Sequence, residues 1–244
     1  MLAGHAGLFS PPELHLLGYE SLKPWHAALH DNYLDEGLQR ALMARFDLSA
    51  DAAAERLAQW LAQDRPVADV YRALGRAGQL LVDKSPSYLT SPETLQRAER
   101  LFERPLYLHL VRHPLAVIDS FVRNRLERFM TGVDDPHAFA ERHWRSQNEN
   151  MEAFGATLPA DRVHRMRYED LVADPKAAMT GLMAFLDLPF DDRLLTPYEG
   201  QRMTDGPTRG SLQIGDPNFL NHQAIEPDLA AVWRTVVLPR PLAA

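Results

Sequence analysis

Arg112 and Ser120 stand eight positions apart in a stretch that reads as strand, turn and helix. Tyr107 to Val111 is an apolar run expected as a buried strand. It breaks at Arg112-His113-Pro114, and from Leu115 the apolar residues Ile118, Phe121, Val122, Leu126 and Phe129 follow at helical spacing. Such a unit places Arg112 at the carboxyl edge of a sheet, where ligands of open α/β folds collect, with Ser120 about two turns into the helix. A guanidinium fork and a hydroxyl brought together there can hold a phosphate. The competing assignment gives Arg112 a carboxylate partner and Ser120 a helix-packing role, and one motif does not separate the two.

Other residues of the same chemical kind recur at element ends. Lys84 follows the short strand Leu80-Leu81-Val82 in the segment VDKSPSY, and so projects from the same edge, unless it is simply a surface lysine. Tyr168 ends the alternating stretch Arg162 to Arg167, where an amphipathic boundary residue is also expected. Glu13 follows Ser10-Pro11-Pro12 inside the apolar PELHLL, so its carboxylate is either solvated at a helix start or put to use. Between Thr204 and Phe219 the chain is rich in Gly, Pro, Asp and Ser, a loop in which Arg209 and the glycines let backbone amides approach an anion. His222 comes just after it. His143 has no second histidine or carboxylate at metal-like spacing and reads as an interior histidine.

The elements that must position these residues follow from periodicity. The opening residues read as the end of a helix running into the Ser10-Pro11-Pro12 loop. Residues 31–78 form a helical insert or lid, with Leu34, Leu38, Leu42 and Phe46 in one stripe, Leu57, Trp60 and Leu61 in a second, and Val67, Val70, Tyr71 and Leu74 in a third. Ser49 is placed to cap the second helix and Pro66 to open the third. Further helices are expected from Ser91-Pro92 to about Phe102, from Pro136 to about Phe154, after Asp174-Pro175, and from Pro227. Strands alternating with helices imply right-handed crossovers and a parallel sheet, hence an α/β fold. The 244 residues suit a single domain, 1–244. A net charge of −7 argues against general nucleic-acid binding, and the lack of cysteine excludes disulfides and thiolate metal sites. No apolar run is long enough for a membrane span, so a soluble, cytoplasmic protein is expected.

Taken together, VDKSPSY, LVRHPLAVIDSF and MRYEDLVADP with FLDLPF resemble the sulfotransferases that use 3′-phosphoadenosine 5′-phosphosulfate. FSPPELHLL and IGDPNF are more similar to bacterial members, including domains embedded in polyketide synthases. The resemblance implies a three-layer parallel sheet flanked by helices, like that of P-loop nucleotide hydrolases. It gives Arg112 and Ser120 the donor's 3′-phosphate, Tyr168 the adenine, Lys84 the charge on the transferring group and departing phosphate, and Glu13 the role of base, with His222 as the other choice. Gly215, in the Gly215-Asp216-Pro217-Asn218 loop, stands where the family closes a second wall over the nucleotide, although no Arg-Lys-Gly triplet is present. No metal is required. The acceptor is expected to be a hydroxyl or amine on a small molecule or on a carrier-protein-bound chain. The family's opening strand and Gly-rich 5′-phosphosulfate loop have no counterpart before MLAGHAGLF, so the chain is expected to begin one strand-loop-helix unit late. A non-catalytic nucleotide-binding or interaction domain is the alternative. A P-loop kinase or nucleotidase would need a Gly-x4-Gly-Lys-Ser/Thr run that is not in the sequence.

Overall fold

The structure is a computed structural model that describes residues 1–32, 34–130, 132–199 and 222–242. The chain divides into two compact units, Met1–Tyr88 with Asp191–Ala224 and Leu89–Phe190 with Ile225–Ala244.

In the first unit β1 (Leu8–Phe9) pairs in parallel with β2 (Leu80–Leu81), Leu8 opposite Leu80 and Phe9 opposite Leu81. Flanking amides extend the ladder: Leu80 N–H donates to Gly7 C=O at 2.9 Å and Val82 N–H to Phe9 C=O at 2.8 Å. β1 corrects the expectation of a helix end over the opening residues, where only Leu2–Gly4 is helical, as one 3₁₀ turn. A two-residue strand leaves no alternation to be seen in sequence. Between the paired strands run α1 (Leu22–Leu29), α2 (Glu36–Phe46), α3 (Ala50–Ala62) and α4 (Val67–Leu74). The third stripe, Val67, Val70, Tyr71 and Leu74 in α4, is buried throughout; of the first two, Leu38 and Leu42 in α2 and Leu57 and Trp60 in α3 are buried, while Phe46 and Leu61 are half-buried and Leu34 lies before α2. Ser49 caps α3, its Oγ accepting from Ala52 N–H at 3.2 Å. α1 was concealed by Pro24, which is tolerated because first-turn N–H groups have no intrahelical acceptor.

Two of these helices hold the segment that carries Glu13. Trp25 of α1, fully buried, donates its indole N–H to Leu14 C=O at 2.9 Å. In α2 a Cβ on Gly37 would stand 2.0 Å from the carbonyl oxygen of Glu13, so the two backbones touch where only glycine fits.

In the second unit α5 (Pro92–Leu101) leads to β3 (Tyr107–Val111), then α6 (Pro114–Arg123), α7 (Pro136–Gly155), β4 (Val163–Arg167), α8 (Tyr168–Ala173) and α9 (Pro175–Phe185). β3 and β4 pair in parallel from Tyr107 opposite Val163 to Val111 opposite Arg167. Asp135 and Asp174 cap α7 and α9, each accepting from the N–H three residues on at 3.0 Å. One core cluster sets Ile118, Phe121 and Ala140 against Phe139 and Leu126, and another sets Leu95, Met151 and Phe154 against Tyr107 and Val163.

Three expectations are corrected in this unit. β3 is half-buried rather than buried: His109 is covered and bonds Asn148 of α7 at 3.0 Å, while Leu108 and Leu110, pointing the other way, are 39% and 49% exposed. α6 stops at Arg123 instead of running to Phe129, because Arg125 takes a left-handed φ of 53° before a 3₁₀ turn, Leu126–Phe129; Asn124, at the C-cap, still donates its backbone N–H to Ser120 C=O at 3.0 Å. The closing helix Pro227–Arg234 is 3₁₀, not α. No described helix is long and apolar enough to cross a membrane.

On helix propensity alone Gly37→Ala would stabilise by about 1 kcal/mol. The clash with the Glu13 carbonyl reverses the sign, and denaturant unfolding is expected to show a net loss of about 1–3 kcal/mol. A stability equal to or above that of the parent would mean that α2 does not hold the Glu13 backbone.

Candidate functional site

The second unit builds an anion-binding edge from strand register. Because Val111 lies opposite Arg167, the next residues, Arg112 and Tyr168, emerge side by side, and the Arg112 guanidinium carbon lies 4.5 Å from the centre of the Tyr168 ring. Arg112 Nε is buried and has no hydrogen-bond partner among the described residues, so its desolvation is uncompensated until an acceptor arrives. The turn is pinned from both sides. Trp144 Nε1 donates to Arg112 C=O at 3.0 Å, and His113 N–H donates to the buried Glu169 Oε1 at 2.8 Å. The His113 ring stacks on Trp233, centroids 4.1 Å apart at 14°, and burial lowers its pKa, which keeps the ring neutral. Ser120, half-buried in α6, accepts from Asn124 Nδ2 at 3.2 Å, and its own proton goes to no described acceptor.

The first unit brings a carboxylate and an ammonium together. Beyond the pairing of Phe9 with Leu81 the chains deliver Glu13 and Lys84 to one place, where Lys84 Nζ pairs with Glu13 Oε1. The Lys84 side chain is 67% exposed and that of Glu13 19%. The other carboxylate oxygen, Oε2, lies 3.4 Å from His15 Nε2, too loosely aligned for a hydrogen bond. Burial pushes the Glu13 carboxyl up, but His15 and Lys84 outweigh it and leave Glu13 below its ordinary pKa.

His15 is locked in place. Its backbone is left-handed at φ 52°, its N–H donates to Ser85 Oγ at 2.9 Å, and its Nδ1 lies 2.8 Å from Ser87 Oγ. Below it, Asp83 Oδ2 accepts from the hydroxyls of Tyr71 and Tyr88, each at 2.5 Å, and Oδ1 accepts from Ser85 Oγ at 3.3 Å. The Tyr88 hydroxyl in turn accepts Leu16 N–H at 3.0 Å. Burial raises the pKa of Asp83 against the pull of the two tyrosines. The same burial, with Asp83 beside them, raises both phenols well above their ordinary value, so they stay donors.

The structure therefore joins Glu13 to Lys84 and Arg112 to Tyr168, while Ser120 engages Asn124. The ring of His222 has its described contact with Tyr198, 6.2 Å between centroids. Arg209 and Gly215 lie outside the described residues. His143, expected in the interior, is half-buried, stacked on Phe139 at 5.4 Å, with Nε2 2.9 Å from Gln147 Nε2. His15, Asp83 and Tyr71 were missed by sequence reasoning. The available signals were a histidine two positions after Glu13 in an apolar run and an aspartate at the very end of a strand.

The shared acceptor and donor at Tyr88 make its role separable from that of Tyr71. Tyr88→Phe strands the Leu16 amide as well as an Asp83 lone pair and is expected to cost about 1–3 kcal/mol in denaturant unfolding. Tyr71→Phe strands an Asp83 lone pair without orphaning the Leu16 amide and should cost less; the reverse order would remove Tyr88 from the centre of the network.

This arrangement has counterparts among known proteins. The sequence profile of the sulfotransferase family matches residues 1–192. The chain superposes on the sulfotransferase domain from the Synechococcus PCC 7002 olefin synthase with a TM-score of 0.90 at 46% identity, covering 99% of this chain and 83% of that one. It superposes on the sulfotransferase domain from the curacin biosynthetic pathway with a TM-score of 0.93 at 44% identity, covering 100% of this chain and 87% of that one. No curated protein sequence matches it. On the profile match and on both solved domains, the chain belongs to the sulfotransferase family.

Proposed function

We propose that this chain transfers a sulfuryl group from 3′-phosphoadenosine 5′-phosphosulfate to an acceptor hydroxyl. The observation that carries this is the Arg112 side chain, stacked on Tyr168 with a buried Nε that lacks a partner among the described residues. Arg112 and Ser120 supply charged and neutral donors to the 3′-phosphate, and the Tyr168 ring supplies an apolar face to the adenine. The donor contributes an activated sulfuryl group whose S–O bond to the 5′-phosphate breaks as the bond from the acceptor oxygen to sulfur forms. Glu13 takes the proton that the acceptor hydroxyl gives up. Lys84 meets the negative charge left on the departing phosphate. As Lys84 is drawn to that phosphate it leaves Glu13, which removes one of the two partners, His15 and Lys84, that depress the carboxylate's basicity.

The two solved relatives come from an olefin synthase and from the curacin pathway. By analogy, the acceptor is a hydroxyl on an acyl chain, borne by a carrier protein, which sulfation would turn into a leaving group.

Calorimetry with adenosine 3′,5′-bisphosphate tests the donor assignment. Arg112→Ala should lose about 1.5–3 kcal/mol of binding, the range for a hydrogen bond to a charged group. The same substitution should leave adenosine 5′-monophosphate, which lacks the 3′-phosphate, bound as before. Equal losses for both nucleotides would place Arg112 elsewhere, and bisphosphate binding with no sulfuryl transfer to any hydroxyl would leave a nucleotide-binding domain.

The base assignment sets a pH profile. A base works deprotonated, and a lowered pKa keeps Glu13 deprotonated further into acid, so the acidic limb of kcat/KM for the donor, which reports the free enzyme with Lys84 still on Glu13, should lie below the ordinary glutamate value of about 4.3. His222 as the base would move that limb to about 6.5.

A further inference from the structure

We propose that His26, His30 and Asp35 form a site for one divalent transition-metal ion of the zinc class. The Nδ1 atoms of His26 and His30 lie 2.8 Å and 2.9 Å from the same oxygen, Asp35 Oδ2. The three ligand atoms all fall within 4.8 Å of one another. The two histidines are one turn apart, with His26 in α1 and His30 at its end, where the His30 backbone is still helical and its N–H returns to His26 C=O. Their rings sit 4.4 Å apart, tilted by 40°, and both Nδ1 atoms converge on Asp35 Oδ2.

Asp35 is the more telling partner. It stands at the N-cap of α2, where an aspartate would ordinarily take one of the helix's first N–H groups, yet its side chain makes no capping bond. It is instead turned to the two imidazoles, with its side chain only 9% exposed. Two neutral imidazoles and one carboxylate are a donor set suited to Zn²⁺, Co²⁺ or Ni²⁺ rather than to Mg²⁺ or Ca²⁺, which favour oxygen. Tetrahedral bonds of the usual length set ligand atoms about 3.3 Å apart, so each present contact needs to open by only about half an ångström. The His30 side chain, 62% exposed, can make that movement and leaves the fourth position to water.

The location gives the ion a purpose. It would join the end of α1 to the start of α2. These are the helices that hold the carbonyls of Leu14 and Glu13, the first through the Trp25 indole and the second through the close approach of Gly37. The ion is thus a clip on the backbone of the Glu13 segment and no part of the transfer chemistry.

The test uses the untagged full chain, stripped with chelator and titrated with Co²⁺ alone, then with Zn²⁺ by calorimetry. The parent should show the visible bands of four-coordinate cobalt at one ion per chain, with a dissociation constant on the order of 1 μM or tighter. Zn²⁺ should raise its melting temperature. His30→Ala should weaken binding about a hundredfold or more, at least what loss of an outer-shell partner alone can cost. Asp35→Asn keeps an acceptor for the imidazoles but removes the charge, so it should stay folded and lose the ion as well. The absence of cobalt bands in the parent overturns the site and leaves two imidazole N–H groups sharing one carboxylate. Undiminished binding in either folded variant moves the ion to other histidines and overturns it equally. None of these readouts depends on sulfuryl transfer.

Discussion

A parallel pair of strands delivers both of its chains to the same edge, so the residues just beyond the last pairing have no choice but to meet. The site residues of each unit depend on this constraint. In the second unit the pairing of Val111 with Arg167 fixes Arg112 against Tyr168 before any side-chain preference acts. The buried Glu169 then makes the edge rigid, because its carboxylate accepts the N–H of His113 from the opposite chain. A slip of one residue would turn Arg112 away from Tyr168 and Glu169 away from His113 together. The motif is therefore a register lock as much as a binding signature, and Glu169 belongs to it for a reason that has nothing to do with ligand contact.

In the first unit the pairing is only two residues long, and side chains do the work that a longer ladder would do. Asp83, two residues after β2, gathers Tyr71 from α4 and Tyr88 from the following turn, and Tyr88 reaches across to the amide of Leu16. A buried carboxylate is expensive unless its lone pairs are filled, and here three hydroxyls fill them. Lys84 and Ser85 are thus anchored by the residue before them. Lys84 can remain long, exposed and mobile because its backbone is not.

The sequence made one part of this legible and hid another. Caps, helix stripes and the longer strands leave local, periodic signals, which is why Ser49, Asp174 and Tyr107 to Val111 could be placed from spacing alone. Arg112 and Tyr168 were legible as chemistry at two strand ends, but that they meet is shown only by the register. Strand β1 was not legible, since two residues carry no period, and α1 was masked by its proline. The overlong α6 shows another limit: apolar spacing continued through Leu126 and Phe129, but Arg125 takes a left-handed backbone and ends the helix. His15 and Asp83 were missed because their partners lie far along the chain, and a sequence pattern carries no record of such pairings.

The holding of Glu13 shows how such a site can be both fixed and responsive. Its main chain is gripped from both sides, by an indole on the next carbonyl and by a glycine pressed against its own. Its side chain, by contrast, is held by Lys84 on one oxygen, with His15 near the other. Backbone anchoring of this kind costs nothing at the moment of reaction, because no anchor has to move when the carboxylate changes partner. The lysine, two-thirds exposed, is the partner that can leave. A carboxylate paired at rest and released when its cation is drawn elsewhere is a weak base until an anion arrives and a stronger one afterwards. The same ion pair that lowers its pKa in the structure is what would couple its basicity to the binding of a phosphate.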